Sequence, residues 1–196
     1  MKTKLVNVGF APITTQNKTT YTVGTPVYFA SAQAGGREYK ATASGTVKTI
    51  DANSQTVYEA EVNGGYEIEL TLIDIIDTIA EKWLGYEIRS NGTLEVAKDT
   101  EKPRFALILS DNDTSDVGKT EIFYNCVCTS RPDITGKTAE QGNWDEQFVT
   151  YKITARPRLK DNAVRLRISG TTELEAIPEP AAVTPRVWKY RPFCYL

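Results

Sequence analysis

Three pairs of side chains in this sequence have types and spacing that suggest chemistry: Cys126 with Cys128, Asp74 with Asp77, and Glu59 with Glu61. Two thiols one residue apart share a face of an extended strand, which suits neither a mutual disulfide nor a zinc site. Zinc would need further ligands, and the chain has no histidine and only one more cysteine, Cys194. A cysteine nucleophile needs an adjacent base, whereas these two sit among Tyr124, Asn125 and Val127. Paired carboxylates can act as general acid and base. Asp74, however, stands where a helix begins, and Glu59 and Glu61 alternate along a strand, so capping and a solvated face account for both pairs. The glycine pairs lack the strand-to-helix setting of a phosphate loop. The expectation is a chain that is not an enzyme and uses no cofactor or metal.

The remaining electrostatic feature is a pair of basic strands, FVTYKITARPR and VRLRIS. Val149, Tyr151, Ile153 and Ala155 alternate with Thr150, Lys152, Thr154 and Arg156, and Val164, Leu166 and Ile168 alternate with Arg165 and Arg167. With Asp161-Asn162 as the turn, they are expected to form a hairpin that displays a basic stripe. No aromatic platform shares the charged face, so nucleic-acid binding is the weaker reading. A solvated face, or one paired with acid on another copy, is preferred. Charge is uneven along the chain: residues 1–150 hold 14 Lys+Arg against 21 Asp+Glu, and residues 151–196 hold 9 against 4.

The elements that position these residues are mostly short strands. Alternating or β-rich stretches fall at 21–29, 45–50, 55–62, 66–72, 86–88, 105–109, 121–128, 148–155 and 164–168, separated by turn material that includes Asn63-Gly64-Gly65 and Asn91-Gly92. In 66–85 the hydrophobic period changes. Ile68, Leu70 and Leu72 alternate with Glu67, Glu69 and Thr71, and then Ile76, Ile79 and Trp83 follow at helical spacing, with Asp74 as N-cap and Gly85 as the left-handed stop. Many strands with one convincing helix predict a mainly β fold, a β-sandwich or barrel-like domain with one flanking α-helix. Residues 1–171 are assigned to this domain. Residues 172–196 form a proline-rich, aromatic C-terminal arm, folded back on its own domain or docked on a neighbouring subunit. The start of the chain reads as no signal peptide, and no apolar run approaches the ~20 residues of a membrane-spanning helix.

These stretches occur in an order that resembles the major tail proteins, or tail-tube proteins, of long-tailed phages with non-contractile tails. The matching segments are VGFAPIT with TTYTVGTPVYF; TIDANSQTVYEAEVNGGYEIELTLIDI; IAEKWLGYEI with SNGTL; KPRFALIL; IFYNCVCTSRP; and EQFVTYKITARPR. They span residues 8–169, while the ending has no counterpart in the family pattern. The resemblance implies a structural virion protein that self-assembles into hexameric rings, with sheets joining between subunits, stacked as a tail tube for DNA ejection. It implies assembly in the host bacterial cytoplasm, with the tape-measure, distal tail and tail-terminator proteins as partners. DNA is expected only in transit, and no stable membrane association is expected. Lys48, Asp51, Asn53 and Gln55 look similar to the segment that in this family reaches an adjacent subunit. Asp133 and Lys137 in the polar loop 129–143, Trp144 beyond it, and Trp188, Tyr190, Phe193 and Tyr195 in the arm complete the expected subunit interface. Because DNA must slide, Arg156, Arg165 and Arg167 are expected to face away from the channel or to be ion-paired, with the early acidic excess contributing to the wall. The alternative is a β-sandwich binding module, a phage adhesin or baseplate-type domain recognising carbohydrate or protein.

Overall fold

A computed structural model of the chain describes residues 3–29, 35–52, 55–73, 77–96, 101–113, 118–133 and 148–180. Among these, nine strands join in one sheet and two more form a small hairpin, so the fold is mainly β with one short helix. The strands are β1 (Thr3–Gln16), β2 (Tyr21–Val23), β3 (Val27–Tyr28), β4 (Gly36–Ala52), β5 (Gln55–Leu72), β6 (Glu87–Arg89), β7 (Gly92–Leu94), β8 (Arg104–Asp113), β9 (Lys119–Cys128), β10 (Val149–Ala155) and β11 (Arg165–Ser169). The large sheet runs β2-β1-β8-β9-β10-β5-β4, with β11 also on β9 and β3 also on β1. All of its pairs are antiparallel.

The sheet forks at β9. The first half of β9 pairs with β11, from Lys119 opposite Ser169 to Phe123 opposite Arg165. The second half pairs with β10, from Cys126 opposite Ala155 to Cys128 opposite Ile153. Both faces of β9 are buried along nearly its whole length, including the polar Thr120, Glu121 and Asn125, because the strand contributes to two cores. Phe123, Cys126 and Cys128 enter the main core with Phe10, Leu70, Phe105, Tyr151 and Trp83. Ile122 and Tyr124 enter a second core with Tyr21, covered partly by Leu174 and Ile177.

The strand-to-helix switch takes the expected form. Ile68, Leu70 and Leu72 are buried and Glu67 and Glu69 exposed, so one face of β5 supplies core and the other meets solvent. The helix α1 (Asp77–Ile79) continues into a π-helical turn, Ala80–Leu84, and Gly85 closes it at φ 76. Gly85 N–H donates to the Glu81 carbonyl at 3.1 Å and Tyr86 N–H to that of Ala80 at 3.0 Å, the paired bonds of a glycine-terminated helix. This turn carries Trp83 into the main core, stacked on Phe105 at 4.7 Å and edge-on to Phe10 and Tyr151. The capping role of Asp74 lies outside the described residues.

Three local readings need correction. First, residues 3–16, absent from the expected strands, form one of the longest strands, held by β8 along most of its length. Second, Asn63-Gly64-Gly65 is not a turn: β5 runs through it, with Ser44 opposite Gly65 and Gly45 opposite Asn63. Gly64 is the extra residue of a β-bulge, and Gly65 N–H bonds the Asn63 side chain at 2.9 Å, so turn chemistry is used inside a strand. Third, β10 and β11 do not pair with each other. Asp161-Asn162 does reverse the chain, with Asn162 at φ 57. Pro157, however, lacks an N–H for a ladder and Arg158 turns inward, so β10 ends and β11 takes up the other half of β9.

Candidate functional site

The most unusual structural feature is the outer half of the β4–β5 hairpin. β10 accompanies β5 only from Tyr66 to Leu72. Beyond the bulge, β4 and β5 continue paired with each other, from Gly45 opposite Asn63 to Ala52 opposite Gln55. No other strand joins them there among the described residues. Where side chains are described on this arm they are exposed, including the apolar Val47 (56%) and Val62 (49%). The outer edge of β4 is also unpaired along its whole length among the described residues, leaving a row of backbone donors and acceptors facing outward.

The expected site residues can be placed against this arm. Lys48 lies opposite Ala60, Asp51 opposite Thr56, and Gln55 opposite Ala52, so the backbone brings these three to one projecting hairpin. Asp133 is exposed beyond β9. Asn53, Lys137, Trp144, Trp188, Tyr190, Phe193 and Tyr195 lie outside the described residues.

Beside the root of the hairpin is a cleft of about 550 Å³, flanked by β8, the end of β10 and the tail of β1. Its charged members are Lys102, Arg104 and Arg156, with Glu101 opposing them. Arg104 bonds Glu101 at 3.1 Å and the Asn125 side-chain oxygen at 3.2 Å. Asn125 is itself buried and donates to the Pro157 carbonyl at 3.2 Å, at the point where β9 changes partner. Lys102 donates to the carbonyls of Cys128 and Thr129 at 3.1 and 3.2 Å. The expected basic stripe is therefore divided. Arg156 opens onto this cleft, whereas Arg165 and Arg167 are held on the buried carboxylate of Glu121 at 3.4 and 2.5 Å.

A second polar constellation is Arg158, 1% exposed yet charged. Its guanidinium lies 4.7 Å from the ring centroid of Tyr21 and 4.6 Å from that of Tyr124. It bonds both oxygens of Asp161 at 2.5 Å and Glu179 at 2.9 Å. Burial works to lower its pKa, but hydrogen bonds to these two carboxylates raise it, and the Arg158 bond holds Asp161 below its ordinary value. Tyr124 O–H donates to the Pro178 carbonyl at 2.8 Å, and Leu174 N–H to the Tyr28 hydroxyl at 2.7 Å. The chain from residue 172 to 180 is thereby strapped across the second core. Sequence reading missed Arg158 because it stands in a polar run. The Arg-x-x-Asp spacing to Asp161 was the available sign.

The thiols are core residues. Cys126 and Cys128 are fully buried, and burial raises both pKa values, that of Cys128 to about 11, so neither is a ready nucleophile at neutral pH. Among the described residues no group of three His, Cys, Asp or Glu could hold a metal ion, and no helix is long and apolar enough to cross a membrane. Compared with protein-family models and with curated proteins, the chain matches none.

Proposed function

We propose that this chain is a self-assembling structural subunit of the phage tail-tube kind, its copies closing into hexameric rings that stack into a conduit for DNA ejection. On this reading it resides in the virion tail after assembly in the host cytoplasm. It works with tape-measure, distal tail and tail-terminator proteins, and meets DNA only in transit.

The observation that carries the reading is the β4–β5 arm, which extends past the bulge with no third strand beside it among the described residues and exposes the apolar Val47 and Val62. An isolated two-stranded hairpin is marginal in water, and a long unpaired edge invites another chain. Pairing between copies satisfies both features, and a head-to-tail contact closes into rings or continues as a filament.

Negative-stain imaging with analytical ultracentrifugation of the purified chain over a concentration series tests the reading. Rings or tubes that grow with concentration are expected. A single small species at every concentration, with affinity for a glycan or protein, would instead establish a binding module.

A further inference from the structure

We propose that the cleft beside β8 and β10 is the socket for the β4–β5 hairpin of a second copy. The proposal rests on the self-assembly reading and adds the surface that receives the arm.

Charge is the first argument. The cleft carries Lys102, Arg104 and Arg156 against Glu101. Residues 45–62 carry Lys48 against Asp51, Glu59 and Glu61. The signs are complementary, and complementary potentials set register and partner choice more than raw affinity. Arg156 sharpens the point. Arg104, Arg158, Arg165 and Arg167 each hold a carboxylate of their own chain. Arg156 is exposed on the cleft and has no ionic partner among the described residues.

Reach is the second argument. The hairpin leaves the body beside the socket, because a Cβ built on Gly65 would lie 1.9 Å from the Ala155 carbonyl oxygen and 3.2 Å from the Arg156 Cα. From that root the two strands pair outward, with one register shift between Ile50 and Asp51, to Ala52 opposite Gln55, a span of roughly 25 Å at strand rise. The paired strands direct the arm outward from its own body, so the socket proposed for it is that of another molecule. The cleft also has apolar wall, with Ile13, Pro157 and Leu159, the last 57% exposed, to meet the exposed Val47 of the arm. Each copy then offers one arm and one socket, a heterologous contact that propagates.

The test is a charge swap in the full chain, read by sedimentation velocity and negative stain at low salt. Wild type is expected to assemble. R104E/R156E and E59K/E61K are each expected to lower the assembled fraction by about tenfold or more, and the quadruple variant to regain assembly by restoring opposite signs. Circular dichroism checks each fold. If R104E/R156E does not fold, E59K/E61K decides, since its substitutions lie on the arm outside the body. Wild type assembling while E59K/E61K assembles equally well overturns the socket and leaves the self-assembly reading standing. Wild type remaining a single copy at every concentration overturns both.

Discussion

At the residue scale, Arg158 shows how a charge can be buried at tolerable cost. Removing a guanidinium from water is unfavourable, and the compensation here is two carboxylates and two aromatic faces. Asp161 and Glu179 are themselves partly solvated. Replacing Arg158 therefore strands no fully buried anion, and Arg158→Met should cost about 2 kcal/mol in urea unfolding rather than the ~3–5 of a broken buried pair. Arg158→Ala adds a cavity between Tyr21 and Tyr124 and should cost about 4 kcal/mol. The same cluster sets a pH dependence. Asp161 is depressed by its bond to Arg158, so its contribution is present above the unfolded carboxylate range and is lost as pH falls below about 4. Tyr124 is raised to about 12 by burial, so the stability that it contributes is complete below the unfolded tyrosine value near 10 and is lost as pH climbs from there toward 12. Thermal unfolding across pH should show both shoulders, and Asp161→Asn should flatten the acid one.

At the element scale, the bulge at Gly64 and Gly65 is where the body ends and the arm begins. Gly65 adopts φ 106, and a Cβ there would overlap the Ala155 carbonyl oxygen. Gly65→Ala should therefore cost more than about 3 kcal/mol, combining backbone strain with displacement of β10. Chemical denaturation measures it, and a cost below about 1 kcal/mol would show that the bulge is soft. The bulge also marks the limit of what local pattern reveals. The Ile68, Leu70, Leu72 alternation and the Gly85 stop were legible because each is decided by burial or backbone geometry within a few residues. Asn63-Gly64-Gly65 read as a turn because the same residues serve turns and bulges, and only pairing with Ser44 and Gly45 distinguishes the two. The partners of β10 and β11 were illegible for a related reason. Whether they pair with each other or divide β9 depends on Pro157 and Arg158, and the burial of Arg158 depends on Tyr21 and Glu179 at distant places in the chain. As for the candidate interface, Lys48, Asp51 and Gln55 lie on one hairpin because they are close in sequence. The cleft, built from β1, β8, β9 and the residues that follow β10, is a product of topology alone.

At the scale of the whole molecule, the structure separates a packed body from a projecting arm, and the self-assembly proposal assigns that arm to contacts between copies. The aromatic core around Trp83, the divided β9 and the strap over Tyr124 lie within the body. The arm beyond Gly45 and Val62 is paired only to itself among the described strands. A segment that contributes little burial to its own domain can be removed with little loss of stability, whereas a segment that joins copies cannot be removed without loss of assembly. Replacing residues 47–61 by Asn-Gly closes β4 onto β5 with a two-residue turn between Thr46 and Val62, which are directly opposite in register. The shortened chain should unfold within about 3 °C of the full chain, a shift corresponding to less than about 1 kcal/mol for a domain of this size. It should also sediment as a single copy under conditions where the full chain forms rings or tubes. A large fall in melting temperature would place the arm in the domain's own core. Unchanged polymer would remove it from the contacts between copies and turn the search to the terminal strands of the sheet, β2 and the inner half of β4.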